Sequence, residues 1–155
     1  MKKSAGILLY KFNGNEIQFF LVHPGGPFWK NKDAGAWTIP KGEFEYGEDG
    51  FATAKREFKE ETGSEIDDNF IALTPIKQKG GKLVNAWAIE GNIDADNLTS
   101  NTFKIQLPPK SGKWIDIPEV DKAAWFSVAG AKQKINPAQI PLIDELLNML
   151  KKHLE

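Results

Sequence analysis

The sequence predicts an α/β (α+β) fold in which a mixed β-sheet is sandwiched between helices. Three observations lead there. Two pairs of β-forming runs are each broken by a glycine-bearing turn, two segments carry apolar residues at helical spacing, and the order is strands, helix, strands, helix. With 155 residues, 41% of them hydrophobic and 26% charged, the chain is expected to form one domain over residues 1–155.

The first pair of strands is Ala5 to Phe12 and Ile17 to Val22, flanking Asn13-Gly14-Asn15, whose residues tolerate the positive dihedral angles of a tight turn. His23-Pro24-Gly25-Gly26-Pro27 is a turn-rich loop leading through Phe28 and Trp29 to a short strand around Ala36 to Ile39. A helix is expected from Asp49 or Gly50 to about Thr62, because Phe51, Ala54 and Phe58 recur at helical spacing and Gly63 stops it. Phe70 to Ile76 and Leu83 to Ile89, around Gly80-Gly81, read as a second hairpin. Gly91 to Asp121 is polar and proline-bearing, and reads as a long loop with one short strand near Phe103 to Leu107. A second helix starts at Pro137 or Pro141 and runs to Leu154, with Ile140, Ile143, Leu146, Leu147, Leu150 and Leu154 as its apolar stripe.

Twenty basic and 21 acidic residues leave a net charge of −1, which favours neither duplex nucleic acid nor an anionic membrane as partner. The apolar run after Met1-Lys2-Lys3 ends at Lys11 and Asn13, too short for a secretory signal, and no stretch approaches the ~20 apolar residues that cross a bilayer. Absence of cysteine excludes disulfides and thiolate metal sites, which fits a cytoplasmic setting. A monomer and a homodimer are both compatible with the sequence.

The informative segment is Gly42 to Gly63. On a helix, Glu57, Glu60 and Glu61 stand at i, i+3 and i+4 and share one narrow face beside the apolar stripe. A solvated face would interleave lysine or arginine at i±3 or i±4, yet around Glu57 those positions hold Thr53, Ala54, Glu60 and Glu61. Like charges at that spacing each cost a few tenths of a kcal/mol, so the cluster calls for a cation that the sequence does not supply. Oxygen-only ligation suits Mg2+, or Mn2+ in its place, far better than zinc.

Gly42, Glu48 and the run Arg56-Glu57-Phe58-Lys59-Glu60-Glu61-Thr62-Gly63 resemble the Nudix box, Gly-x5-Glu-x7-Arg-Glu-apolar-x-Glu-Glu-x-Gly-apolar. Ser64 departs from the pattern where the family has an aliphatic residue, a packing position outside the chemistry. The resemblance implies a Nudix-like α/β/α sandwich with a loop-helix-loop motif that holds Mg2+ against a diphosphate while water attacks phosphorus. It implies Glu60, Glu61 and the Gly42 carbonyl as metal ligands and Glu57 as a ligand or the base. Arg56 and Glu48 are implied to brace the loop against the helix; Arg56 also stands at i−4 to Glu60, the spacing of a surface ion pair. A further acid is expected from the loop before Trp125-Phe126, where Glu119 is favoured over Asp121.

Around the box, Trp37-Thr38-Ile39-Pro40-Lys41-Gly42 resembles the nucleoside and dinucleoside polyphosphate (Ap4A-type) branch. Lys41 is a candidate phosphate contact, as are Lys79 and Lys82 beside Gly80-Gly81. Phe28, Trp29, Trp37 and Trp87 are candidate stacking surfaces for a base, with Trp87, like Trp125, better suited to the core; His23 is expected to pack. The expected activity is Mg-dependent hydrolysis of a phosphoanhydride in a nucleoside or dinucleoside polyphosphate. The alternatives are removal of oxidised nucleotides and a non-catalytic nucleotide-binding module.

Overall fold

A computed structural model describes residues 2–66 and 69–154, with side chains up to residue 151; Leu154 of the expected apolar stripe therefore lies outside the described side chains. The strands are β1 (Lys3–Asn13), β2 (Glu16–Pro24), β3 (Lys41–Phe44), β4 (Phe70–Ala72), β5 (Ile76–Lys77), β6 (Leu83–Glu90), β7 (Thr102–Gln106), β8 (Trp114–Pro118) and β9 (Val120–Phe126). The helices are α1 (Gly50–Thr62), α2 (Val128–Lys134) and α3 (Ile140–Leu154), with a 3-10 turn at Pro137–Gln139.

β1 lies at the centre of the main sheet, whose order is β4-β6-β1-β2-β9, with β3 on β1 and β5 on β6. It runs parallel to β6 and antiparallel to β2, so the sheet is mixed. Being covered on both faces, β1 is apolar almost throughout. Ala5, Ile7 and Leu9 join Phe20, Val22, Ala54 and Phe58 in one core, under α1. Leu8 and Tyr10 face the opposite core with Phe19, Leu21, Ala131, Leu142, Ile143 and Leu146, under α2 and α3. The sandwich expected of the sequence is present.

The first hairpin closes through Gly14-Asn15, with Asn13 opposite Glu16. The second closes between Gln78 and Lys82, whose backbone pairs at 2.7 Å, but its first arm is two strands, since Leu73-Thr74-Pro75 interrupts the run. Proline has no N–H for the ladder there.

Three expectations are corrected. Ala36 to Ile39 forms no strand: Thr38 bridges Val22 and Trp37 bridges Ile135, so the segment is shared between β2 and the end of α2, and pairing resumes only after Pro40, as β3. The stretch from Gly91 to Asp121 holds two strands rather than one, because Thr102–Gln106 pairs antiparallel with Trp114–Pro118 as a separate two-stranded sheet. A third helix, α2, precedes the expected C-terminal one; it is seven residues long and buries Ala131 alone, too little for a helical stripe. Among the described residues no helix is long and apolar enough to cross a membrane.

Candidate active site

The site is assembled on α1. Asp49 caps its N-terminus, accepting a hydrogen bond from the Ala52 amide at 3.0 Å, and Gly63 ends it at φ 80°, a left-handed conformation that glycine adopts at little cost. Phe58 and Ala54, fully buried, seat the helix on β1, which fixes the angular position of every acid on it. β3 pairs with the start of β1, Gly42 opposite Ala5 and Lys41 opposite Gly6. That pairing brings the Gly42 backbone onto Glu57, where a Cβ at position 42 would run into the carboxyl group.

Glu61 is buried, and its Oε2 has no hydrogen-bond partner. Burial, followed by repulsion from Glu57 and Glu119, holds its carboxyl well above the usual range, against the pull of the Lys41 charge and a hydrogen bond from the Lys41 amide. Glu57, half-buried, is raised first by burial and then by Glu60 and Glu119, with Arg56 opposing. Arg56 reaches Glu57 at 3.5 Å and Glu60 at 3.9 Å. The Arg56–Glu60 pair expected from the i+4 spacing is present, and the expectation of an uncompensated cluster is corrected for Glu57, although a surface pair at such distances is worth well under about 1 kcal/mol. Glu48 does not meet Arg56; its Oε1 accepts from the Glu45 amide at 2.9 Å and closes its own loop.

Glu119 joins the acids from 58 residues beyond Glu61, its carboxyl raised by burial and by Glu60. A strap of three residues sets its place. The Thr99 amide donates to the Thr62 carbonyl at 3.1 Å and the Asn101 amide to the Glu60 carbonyl at 2.7 Å, capping the end of α1. Asn101 in turn accepts from the Glu119 amide at 2.8 Å, and Ser100 Oγ accepts from the Val120 amide at 3.1 Å. These residues read as plain loop in the sequence, because the bonds are made by backbone and one hydroxyl. Asp121 is engaged elsewhere, with His23 Nδ1 at 2.9 Å.

Lys41 is mostly buried and lies beside Lys82; burial and the neighbouring ammonium lower it to about 8, while Glu61 and Glu43 oppose. Lys82 also pairs with Glu43 at 3.2 Å. Lys79 is exposed near the tip of the turn and has no described contact with the acids. Phe28 is 67% exposed and meets Trp29, half-buried, edge to face at 5.0 Å. Trp37 is corrected as a stacking surface: it is buried, edge-on to Phe126 at 5.0 Å, with Nε1 donating to Asp33 at 2.8 Å. Trp87 packs against Phe51. His23 is fully buried, its second ring nitrogen 2.6 Å from the Lys32 carbonyl.

A family model described as NUDIX domain matches residues 1–146. The chain belongs to the Nudix family. Its class is that of a Nudix pyrophosphohydrolase, an enzyme acting on phosphorus anhydrides. Solved Nudix structures share its fold. A C. elegans Ap4A hydrolase in a binary complex superposes at TM-score 0.67 with 22% identity, over 98% of this chain and 99% of that one. A mutT/nudix family protein from Listeria innocua gives 0.64 at 14%, over 99% and 96%. The NUDIX domain of Shewanella oneidensis NrtR, complexed with ADP ribose, gives 0.61 at 13%, over 99% and 88%. No curated protein matches the chain in sequence.

The residues present fit the divalent metal that Nudix chemistry implies. The buried Glu61 oxygen has no partner, Glu57 and Glu119 stand close enough to raise its carboxyl, and the Gly42 backbone lies against Glu57. Among the described residues no three acids or imidazoles converge as a finished cage. Magnesium needs none, since it keeps several waters and takes one or two carboxylates plus substrate oxygens.

Proposed function

We propose that this Nudix protein, acting as a single domain over residues 1–155 in the cytoplasm, hydrolyses a phosphoanhydride bond in a nucleoside or dinucleoside polyphosphate with Mg2+ as cofactor. The observation that carries the reading is the gathering of Glu57, Glu60, Glu61 and Glu119, three of them with raised carboxyls and one, Glu61, with a buried oxygen that has no partner.

Glu60, Glu61 and the Gly42 carbonyl would hold the metal, with Glu57 as a further ligand or the base. Bound there, the metal neutralises charge on the phosphate oxygens and lowers the pKa of water. The oxygen of water forms the new bond to phosphorus, the bridging P–O bond breaks, and the water proton passes to Glu57 or Glu119. A raised carboxyl suits that acceptance, since a base works best with its pKa near the operating pH. Lys41 and Lys82 hold non-bridging oxygens as point charges. Arg56 keeps Glu57 and Glu60 in place.

The test is release of nucleotide products, resolved by chromatography, from ATP (ADP with phosphate, or AMP with pyrophosphate) and from diadenosine tetraphosphate (ATP with AMP, or two ADP), with Mg2+, with Mn2+ and with chelator. Release with either metal and none in chelator is expected. Full activity in chelator, or no release from either compound under any condition, overturns the reading.

A further inference from the structure

Among the described residues eight large hydrophobic side chains are exposed, and five of them, Phe28, Phe103, Leu107, Trp114 and Ile115, belong to the β7–β8 hairpin and the loop beside it. Contiguous exposed apolar residues of this kind mark binding surfaces, and of the five Trp114 lies on the opposite face from Phe103 and Ile115. One root of the hairpin rests on the acid helix and holds the other: Asn101, just before β7, donates to the Glu60 carbonyl and accepts from the amide of Glu119, the fourth acid, just after β8. Register then decides the faces. Phe103 pairs with Ile117 and Ile105 with Ile115, so these four share one face, and Lys104, Gln106, Trp114 and Asp116 share the other.

The apolar face has a direction. Ile117, at its base, packs against Gly26, where a Cβ would lie 3.2 Å from its methyl group, and the Gly25 amide bonds the Glu119 carbonyl at 3.0 Å. Gly26 opens the turn that carries Phe28, its carbonyl accepting from the Trp29 amide at 3.2 Å. The loop that carries Phe28 therefore starts at the base of the hairpin. Farther out, Phe103 is 42% and Ile115 37% exposed. At a rise of about 3.3 Å per residue, Phe103 lies roughly 7 Å and Ile105 and Ile115 roughly 13 Å from the roots. A ribose with a short phosphate chain covers that span.

We propose that Phe103, Ile105 and Ile115, with Phe28, form an apolar wall that receives the aromatic base of a nucleotide whose phosphates lie on the acids. The proposal rests on the hydrolase reading above and adds where the base goes. A flat aromatic ring suits an apolar face with little hydrogen-bonding capacity, which favours stacking over readout of base edges. The wall accordingly accepts purines of either kind.

The test compares wild type with Phe103→Ala and with Ile115→Thr, whose β-branched side chain keeps the strand while removing apolar surface. KM is measured for ATP and for tripolyphosphate, which has no base, and the Kd of ATP by equilibrium dialysis with a non-hydrolysable methylene-bridged analogue standing in for it. KM and Kd for ATP should rise on the order of tenfold in both variants, with tripolyphosphate unchanged. Unchanged ATP values, or equal losses on both compounds, overturn the wall. So does a dimeric wild type made monomeric by Ile115→Thr with ATP affinity intact, which would give the face to a second copy. If wild type hydrolyses neither compound the hydrolase reading fails, and the ATP Kd still decides the wall by itself.

Discussion

The backbone of Gly42 lies so close against the carboxyl of Glu57 that no side chain fits between them. A residue of β3 thereby touches the acid helix at the point where both are expected to offer oxygen to a metal. Gly42→Ala should force one of the two to move. The atoms in the way belong to the flexible Glu57 side chain, so the expected cost in urea unfolding is small, under about 1 kcal/mol, while the displaced carboxyl brings a marked loss of kcat. Wild-type kcat in this variant would show that the contact yields freely.

Glu61 makes the opposite trade in the metal-free protein. Its carboxyl is raised, so the folded state holds the proton more tightly than the unfolded chain, and the group favours folding only below its ordinary pKa. As pH rises through the raised value that contribution is lost and a buried charge remains. Glu61→Gln should therefore melt higher than wild type at neutral pH without metal, with the difference vanishing as pH falls below the usual carboxylate range. A variant that melts lower at neutral pH would mean that the carboxylate stabilises the fold.

Glu57, Glu60 and Glu61 should act as a unit. Single Gln substitutions are expected to reduce kcat by on the order of 100-fold or more, and pairs to be less than additive. Glu119→Gln should behave likewise if the strap from α1 holds it in the same machinery. Strict additivity of Glu57→Gln with Glu119→Gln, measured on one substrate, would separate the two acids into independent roles.

The limits of sequence reading follow from the kind of bond involved. α1 was legible down to its caps, because Asp49, Gly63 and the stripe of Phe51, Ala54 and Phe58 are local signals. Glu119 was legible only through the resemblance of Trp125-Phe126 to the family's strand after an acid-bearing loop, and its carboxyl lies close enough to Glu60 and Glu61 for mutual repulsion. The hairpin that delivers it was half hidden, since Trp114–Pro118 interleaves Asp116 and ends in proline, and its pairing is known only from its partner. The strap was invisible, and so was the burial of Trp37, which depends on α2 and Phe126. Contacts between segments far apart in the sequence leave no mark in either one.

Lys41, lowered to about 8 by burial and by Lys82, should hold phosphate as a cation only below that pH. Lys41→Ala is expected to raise KM for longer polyphosphates more than for shorter ones. In wild type KM should rise as pH passes about 8, a rise that Lys41→Arg abolishes because guanidinium stays charged. A KM that stays flat through this range in wild type would remove Lys41 from phosphate contact.

Phe28 and Trp29 should govern which nucleotide is used more than whether metal is bound. Lys32 Nζ stands 3.4 Å from the centre of the Phe28 ring, and the Lys32 carbonyl is held by buried His23, so one face of the ring is occupied and the loop is anchored. The ring is nonetheless 67% exposed, which leaves its other face open to a base. Trp29 meets Phe28 edge to face and is half-buried, so it supports the ring as much as it contacts ligand. Stacking contributes roughly 1–3 kcal/mol per base. Phe28→Ala should accordingly weaken every base-bearing substrate by about that amount, Trp29→Ala by less, and both should spare baseless compounds such as diphosphoinositol polyphosphates. Metal affinity, measured by titration calorimetry with Mn2+, should not change. Equal losses on all substrates would mean that the loop only closes over the site, and a loss of metal affinity would place it in the acid cluster itself.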